Sequence, residues 1–145
     1  MGWDACGSVR EFNHGCTQMH TDEPGTNKVS ERVIGGTFRV INALGAGFVE
    51  KVNETALAHD LRNDGLAVVQ QRGIVVRYDG VVVGEYAVDL LVAGKVMVEL
   101  KVARALAAGH AVQSSNSLKA TGMRVCLLIN LVRACLEIRR FKHGI

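Results

Sequence analysis

The sequence predicts an α/β sandwich with a central mixed β-sheet flanked by helices. Three observations predict it. Two segments of helical period come first, and Val-rich segments of strand length fill the middle of the chain. A further helix then leads to the apolar run Val125-Cys126-Leu127-Leu128-Ile129-Asn130. A run of that kind is a strand buried on both faces, so it belongs at the centre of the sheet.

The 145 residues suit one domain. With 48% hydrophobic but only 5% aromatic residues, the core must be aliphatic. A net charge of +3 permits a nucleic-acid partner without demanding one, because a dedicated footprint is denser and more local. Cys6, Cys16, Cys126 and Cys135 show no CxxC spacing, and Cys126 reads as a small core residue. The chain therefore reads as reduced and cytoplasmic. No apolar run approaches the roughly 18 residues of a membrane span, and the N-terminus lacks the apolar segment of a secretory leader.

Residues 1–27 carry no apolar period and hold Pro24, so they read as a flexible tail. Met19 would open a chain complete without what precedes it, which makes an upstream extension or misplaced start the expectation there. His14, Cys16 and His20 fit no standard zinc spacing and lack an evident fourth ligand. Asn27 or Ser30 caps a helix to about Leu44, with Val33, Ile34, Phe38, Ile41 and Leu44 near helical spacing and Gly45 as its stop. A second helix runs from about Phe48 to Arg62 and ends at Asn63-Asp64-Gly65. Strands follow at 66–71 and 74–78. Asp79-Gly80 is a hairpin turn signal. Val81 to Val83 leads through Gly84 to a strand from about Glu85 to Val92, and another covers Val96 to Val102. A helix spans about His110 to Ala120 before Gly122. The last segment, Leu136 to Phe141, alternates apolar and basic residues as an edge strand would.

Two of these strands carry buried-type charges: Asp89, Glu99 and Lys101. A buried charge is costly unless it is paired or holds a metal. If Ala93-Gly94-Lys95 is a three-residue loop, Val92 faces Val96, and counting outward Asp89 faces Glu99. Directly opposed residues have Cβ atoms about 4.5–5.5 Å apart, so two carboxylates there repel unless a cation or proton intervenes. Glu99 and Lys101 share a strand face. A two-residue turn would shift the register and separate the group. Paired carboxylates suit Mg²⁺, which takes oxygen ligands, and a nearby lysine can orient or deprotonate a water. That is the chemistry of metal-dependent phosphodiester hydrolysis. A simple Glu99–Lys101 or Asp89–Lys101 ion pair is the bland alternative, but the apolar flanks of both strands disfavour a solvated face.

Asp89 followed by Glu99-Leu100-Lys101 resembles the signature of the PD-(D/E)XK nuclease superfamily. Gly84 to Val92, Val98 to Lys101 and Gly47-Phe48-Val49-Glu50-Lys51-Val52-Asn53 resemble more closely a bacterial branch, the GxxExxY proteins. Leu44 to Phe48, Gln113, Leu118 to Gly122 and Arg124 to Asn130 are similar to it as well. The resemblance spans about Asn27 to Gly144. It implies a restriction-endonuclease-like fold over residues 28–145 and a nuclease site using Mg²⁺ or Mn²⁺. Asp89, Glu99 and Glu50 would hold the metal, Lys101 would handle the attacking water, and Gln113 would complete the pocket. Without the resemblance, Glu50 and Gln113 read as solvated helix residues. Nucleic acid, DNA or RNA, is the implied partner. Lys119, Arg124, Arg139, Arg140 and Lys142 are candidate phosphate contacts.

The chain departs from the branch's pattern at Asn53, where a tyrosine is usual, and at Ile41, Ala111 and Ser117, where histidine, glutamate and tyrosine are common. These departures motivate a second reading. In it the protein is a catalytically inactive nuclease fold, serving as a nucleic-acid-binding module or as a homo-oligomer assembled through strand edges.

Overall fold

A computed structural model describes residues 8–14, 25–45, 47–104, 106–131 and 136–143. In chain order these form β1 (Ser8–His14), α1 (Thr26–Leu44), α2 (Glu50–Asn63), β2 (Val68–Tyr78), β3 (Val81–Val92), β4 (Val96–Lys101), α3 (Ala108–Thr121), β5 (Val125–Asn130) and β6 (Glu137–His143). The strands make one sheet in the order β1-β6-β5-β4-β3-β2. β4 pairs with β5, and β1 with β6, in parallel; the other neighbours are antiparallel. The α/β sandwich with a mixed sheet is therefore observed as the sequence predicts. Among the described residues no helix is long and apolar enough to cross a membrane.

The helices end where backbone chemistry ends them. Gly45 takes a φ of 80° and returns its N–H to the Ile41 carbonyl, and Gly122 closes α3 in the left-handed region at φ 73°. Both are positions where a Cβ would be strained. The β2–β3 hairpin turns through Asp79 and Gly80, both at positive φ, as a tight turn matching the strand twist requires.

The sheet separates two apolar layers. On one face α1 and α2 pack Val33, Ile34, Ile41, Leu57 and Leu61 against Leu90, Val92, Val98, Leu100, Leu127 and Ile129. On the other, Leu118 of α3 packs with Val88, Met97, Cys126, Leu128 and Phe141. Residues of β5 alternate between the layers, and every one is buried. The apolar run Val125 to Ile129 follows from that position.

Three expectations are corrected. β2 is continuous where the sequence suggested two strands, because β3 pairs with it on both sides of Gly73, from Val68 to Tyr78. β6 is not an edge strand: β1 pairs outside it, from Ser8↔Glu137 to His14↔His143. That strand lies within residues 1–27, where the sequence suggested a tail without regular structure. Backbone pairing needs no apolar period, so the composition gave no sign of it. Cys6, Cys16, His20 and Cys135 lie outside the described residues.

Helices α1 and α2 meet closely at Gly36. A Cβ there would sit 3.0 Å from Leu61 Cδ2 and Asp60 Oδ2 and 3.2 Å from Leu57 Cδ1. Gly36→Val should force the pair apart and destabilise the protein by about 1–3 kcal/mol, read from chemical denaturation. An unchanged midpoint would mean that the helices slide freely against one another.

Candidate active site

The turn decides the register. Val92 pairs with Val96, Leu91 with Met97 and Leu90 with Val98, as a loop of Ala93-Gly94-Lys95 requires. Ala93 and Gly94 take φ of 55° and 66°, and Lys95 N–H returns to the Val92 carbonyl. The ladder stops after Leu90↔Val98, so the next opposed residues, Asp89 and Glu99, stand where the strands part. There the Asp89 carboxylate replaces the missing ladder bond: its Oδ2 accepts the Leu100 N–H at 2.7 Å.

The break is visible in the core as well. Leu90 and Val92 belong to the layer under α1 and α2, whereas Val88 belongs to the layer under α3. On β2, Val68 and Ile74 differ in the same way. Even-numbered residues of a regular strand share a face, so both strands roll over between these points. Gln71 and Asp89 mark the roll. They are the pair that the β2–β3 ladder skips, between Gln70↔Leu90 and Arg72↔Val88.

Glu99 is 3% exposed, and its Oε2 has no hydrogen-bond partner. It lies two residues beyond Met97, so it faces the α3 layer, with Lys101 half-buried on the same face. Burial pushes the Glu99 carboxyl up to about 7; the charges of Asp89 and Glu50 add to this, and Lys101 opposes it. Burial also raises the Asp89 carboxyl. The Leu100 N–H opposes that rise, the Glu54 charge adds to it, and Gln71 and Lys101 lower it.

Glu50 opens α2 and is exposed, with its Oε2 accepting the Val102 N–H at 3.0 Å. This ties the helix start to the chain just past Lys101. The buried Asn130 holds the next residue, accepting from Ala103 N–H at 3.1 Å and donating to its carbonyl at 2.8 Å. The exit from β4 is thus gripped from both sides. Beside Glu50, Gly47, Phe48, Val49, Lys51 and Val102 frame a shallow groove of about 490 Å³.

Gln113 is placed elsewhere. It is exposed and lines a groove of about 560 Å³ with Val76, Tyr86, Asn116 and Lys119, and the walls of that groove include none of Glu50, Asp89, Glu99 or Lys101. Of the other basic candidates, Arg139 pairs with Glu137 at 2.9 Å and Arg140 donates to Asn27 at 3.2 Å.

Sequence reasoning missed Glu54, one helical turn beyond Glu50. It is 3% exposed and accepts hydrogen bonds from Gln70 at 2.9 Å and Gln71 at 2.8 Å, with Lys51 3.3 Å away. The signal that could have found it is its i, i+4 spacing from Glu50, which puts both on one helix face.

Among the described residues, no three His, Cys, Asp or Glu side chains are gathered closely enough to hold a metal ion. Glu50 therefore does not close a triad with Asp89 and Glu99. The pair alone still fits Mg²⁺, which is commonly held by one or two carboxylates with waters and substrate phosphate completing the shell. The unpartnered Glu99 Oε2 is a donor of the right kind.

The family profile of the PD-(D/E)XK nuclease superfamily matches residues 27–141. The chain belongs to this superfamily. No curated protein and no solved structure gives a significant match. Nucleases of this superfamily generally use divalent metals, and the superfamily implies a nucleic-acid substrate.

The Glu99 shift sets the pH dependence of this PD-(D/E)XK protein. An unfolded glutamate releases its proton near pH 4.3, whereas folded Glu99 holds it to about pH 7. Between those values the folded chain binds more protons, so stability falls as pH rises. Without metal, the wild type should lose roughly 3 kcal/mol relative to Glu99→Gln between about pH 4 and pH 8. Denaturant titrations of both proteins across that range measure the difference. Parallel profiles would show that Glu99 ionises as freely in the folded chain as in the unfolded one.

Proposed function

We propose that the protein is a divalent-metal-dependent phosphodiesterase that cleaves nucleic acid, of the GxxExxY branch, with residues 28–145 as its nuclease domain. One observation carries the reading. Asp89, the buried and partly unpaired Glu99, and Lys101 are brought to the point where β3 and β4 separate. A structural ion pair gives no reason for a buried carboxylate oxygen without a hydrogen-bond partner. The inactive-scaffold alternative gains no observation of comparable weight.

In this reading Asp89 and Glu99 hold Mg²⁺ or Mn²⁺, with Glu50 contributing negative charge from the start of α2. When bound, such an ion makes a coordinated water acidic and neutralises charge on the phosphate. The Leu100 N–H keeps the Asp89 carboxylate aimed away from its own strand. Glu99 would hold the ion as its carboxylate, and a bound cation would offset the burial that pushes this carboxyl up to about 7. Lys101, on the same strand face, orients the attacking water and meets the charge that develops on the phosphate. The groove carrying Gln113, Asn116 and Lys119 lies against the same α3 layer and offers amides and a cation to the nucleic-acid strand.

The test is a cleavage assay on mixed single- and double-stranded DNA and RNA, with and without Mg²⁺ or Mn²⁺, beside metal titration calorimetry. Asp89→Ala should abolish metal binding and cleavage together. Lys101→Ala should retain metal affinity within a few-fold while losing roughly 10²–10⁴-fold in kcat. A wild type that binds neither metal and cleaves none of these substrates would sink the proposal.

A further inference from the structure

We infer that Gln71 is a positioning residue for the active site, fixing the Asp89 carboxylate from a strained backbone that the buried Glu54 holds in place. Gln71 Nε2 donates to Glu54 Oε1 at 2.8 Å and to Asp89 Oδ1 at 3.3 Å. A primary amide nitrogen carries two hydrogens, so one group serves both carboxylates. Asp89 is then held at both oxygens, because its Oδ2 accepts the Leu100 N–H at 2.7 Å. Each carboxylate oxygen retains a lone pair for a further ligand.

The backbone explains how this is reached. Gln70 and Gln71 are consecutive, and consecutive residues of a regular strand point to opposite faces. Here both amides bond the two oxygens of Glu54, at 2.9 Å from Gln70 and 2.8 Å from Gln71. That is achieved because Gln71 adopts a φ of 54°, in the left-handed region, within β2. A non-glycine residue is strained there. Strain of this kind persists only where its surroundings over-determine it, and it gathers at functional sites.

Gln71 itself is exposed, so water competes for its amide, and the bond to Asp89 would be weak if the side chain were free to turn. The anchor is Glu54, whose buried carboxylate is costly without its partners. Mere docking of α2 on β2 would need only the Gln70 bond, with Gln71 in an ordinary strand conformation. The second bond and its strain are accounted for by what Gln71 reaches next, which is Asp89.

The catalytic part of this inference rests on the proposed nuclease function; the positional part does not. Gln71→Gly tests both, because glycine relaxes the positive φ while removing the amide. Hydrogen exchange at the Leu100 amide reports whether Asp89 keeps its place. In Gln71→Gly we expect a modest change in melting temperature, because the relieved strain offsets part of the lost Glu54 bond, and Leu100 exchange accelerated by roughly tenfold. Metal affinity or kcat should fall by roughly 10–100-fold with KM little changed. Glu54→Gln, which keeps the shape but weakens the anchor, should move the same readouts in the same direction by less. Wild-type Leu100 protection in both variants would overturn the inference. So would a general loss of protection across the core with no excess at Leu100, since that is what a purely structural contact gives. Should the wild type cleave nothing, the proposed function fails, and Leu100 exchange still decides the positioning role.

Discussion

The structure depends on one electrostatic constraint: two carboxylates, Asp89 and Glu99, are kept beside each other where water is largely excluded. Glu99 is buried with an oxygen unpaired, and each carboxyl is raised above its ordinary range chiefly by burial. An arrangement like this does not assemble by hydrophobic packing. It survives because the flanking strands are apolar enough to pin the backbone whatever the carboxylates cost. Val98 and Leu100 are fully buried in one layer while Met97 is buried in the other. Glu99 thus sits between residues that cannot move without exposing the core.

The remaining architecture serves that point. β5 lies beside β4 in register from Val96↔Val125 to Lys101↔Asn130. Asn130 at its end holds Ala103, and Leu131 N–H returns to the Lys101 carbonyl. Glu50 reaches the same exit from α2 through Val102. The chain that leaves the site is therefore fixed by α2 and by the neighbouring strand β5. Where β3 turns away from β4, hydrogen bonds from Leu100 and Gln71 to Asp89 replace the ladder. The site is a local failure of sheet pairing whose unpaired groups have been given other partners.

How far the sequence revealed this follows from the range of each interaction. The turn Ala93-Gly94-Lys95 is local, and a glycine flanked by two apolar runs was enough to suggest it; the choice of a three-residue loop over a two-residue turn, which brings Asp89 towards Glu99, comes from the structure. The helix stops at Gly45 and Gly122 are equally local. The role of Glu54 was not legible, because EKVNETALAHD reads as an ordinary solvated helix until β2 is laid against it. The left-handed Gln71 has no sequence signal at all: glutamine is not a residue that marks positive φ, and only the rolled strands and the Glu54 anchor impose it. β1 escaped for a related reason, since its pairing with β6 is a backbone contact between segments far apart in sequence. The Gln113 expectation came from resemblance, and the fold sets that residue in a groove along α3.

The positions where the chain differs from the GxxExxY pattern that it resembles are absorbed by packing rather than by the candidate site. Asn53 is buried and donates to the Phe48 and Val49 carbonyls, each at 3.3 Å, so it steadies the loop that delivers Glu50 to Val102. Ser117 is buried, with its hydroxyl 3.0 Å from the Tyr86 hydroxyl and donating to the Gln113 carbonyl, which joins α3 to β3. Ile41 fills the core under α1, and Ala111 packs at the margin of the α3 layer. None of the four bonds to Asp89, Glu99 or Lys101. In the proposed reading the chemistry resides in the carboxylates and the lysine, and these four positions lie outside that group. A chain can therefore diverge at all four and still keep the expensive part of the site, the buried Glu99 with its free oxygen. Packing alone gives no reason for a carboxylate there, because an apolar residue of similar volume is often at least as stable in such a place.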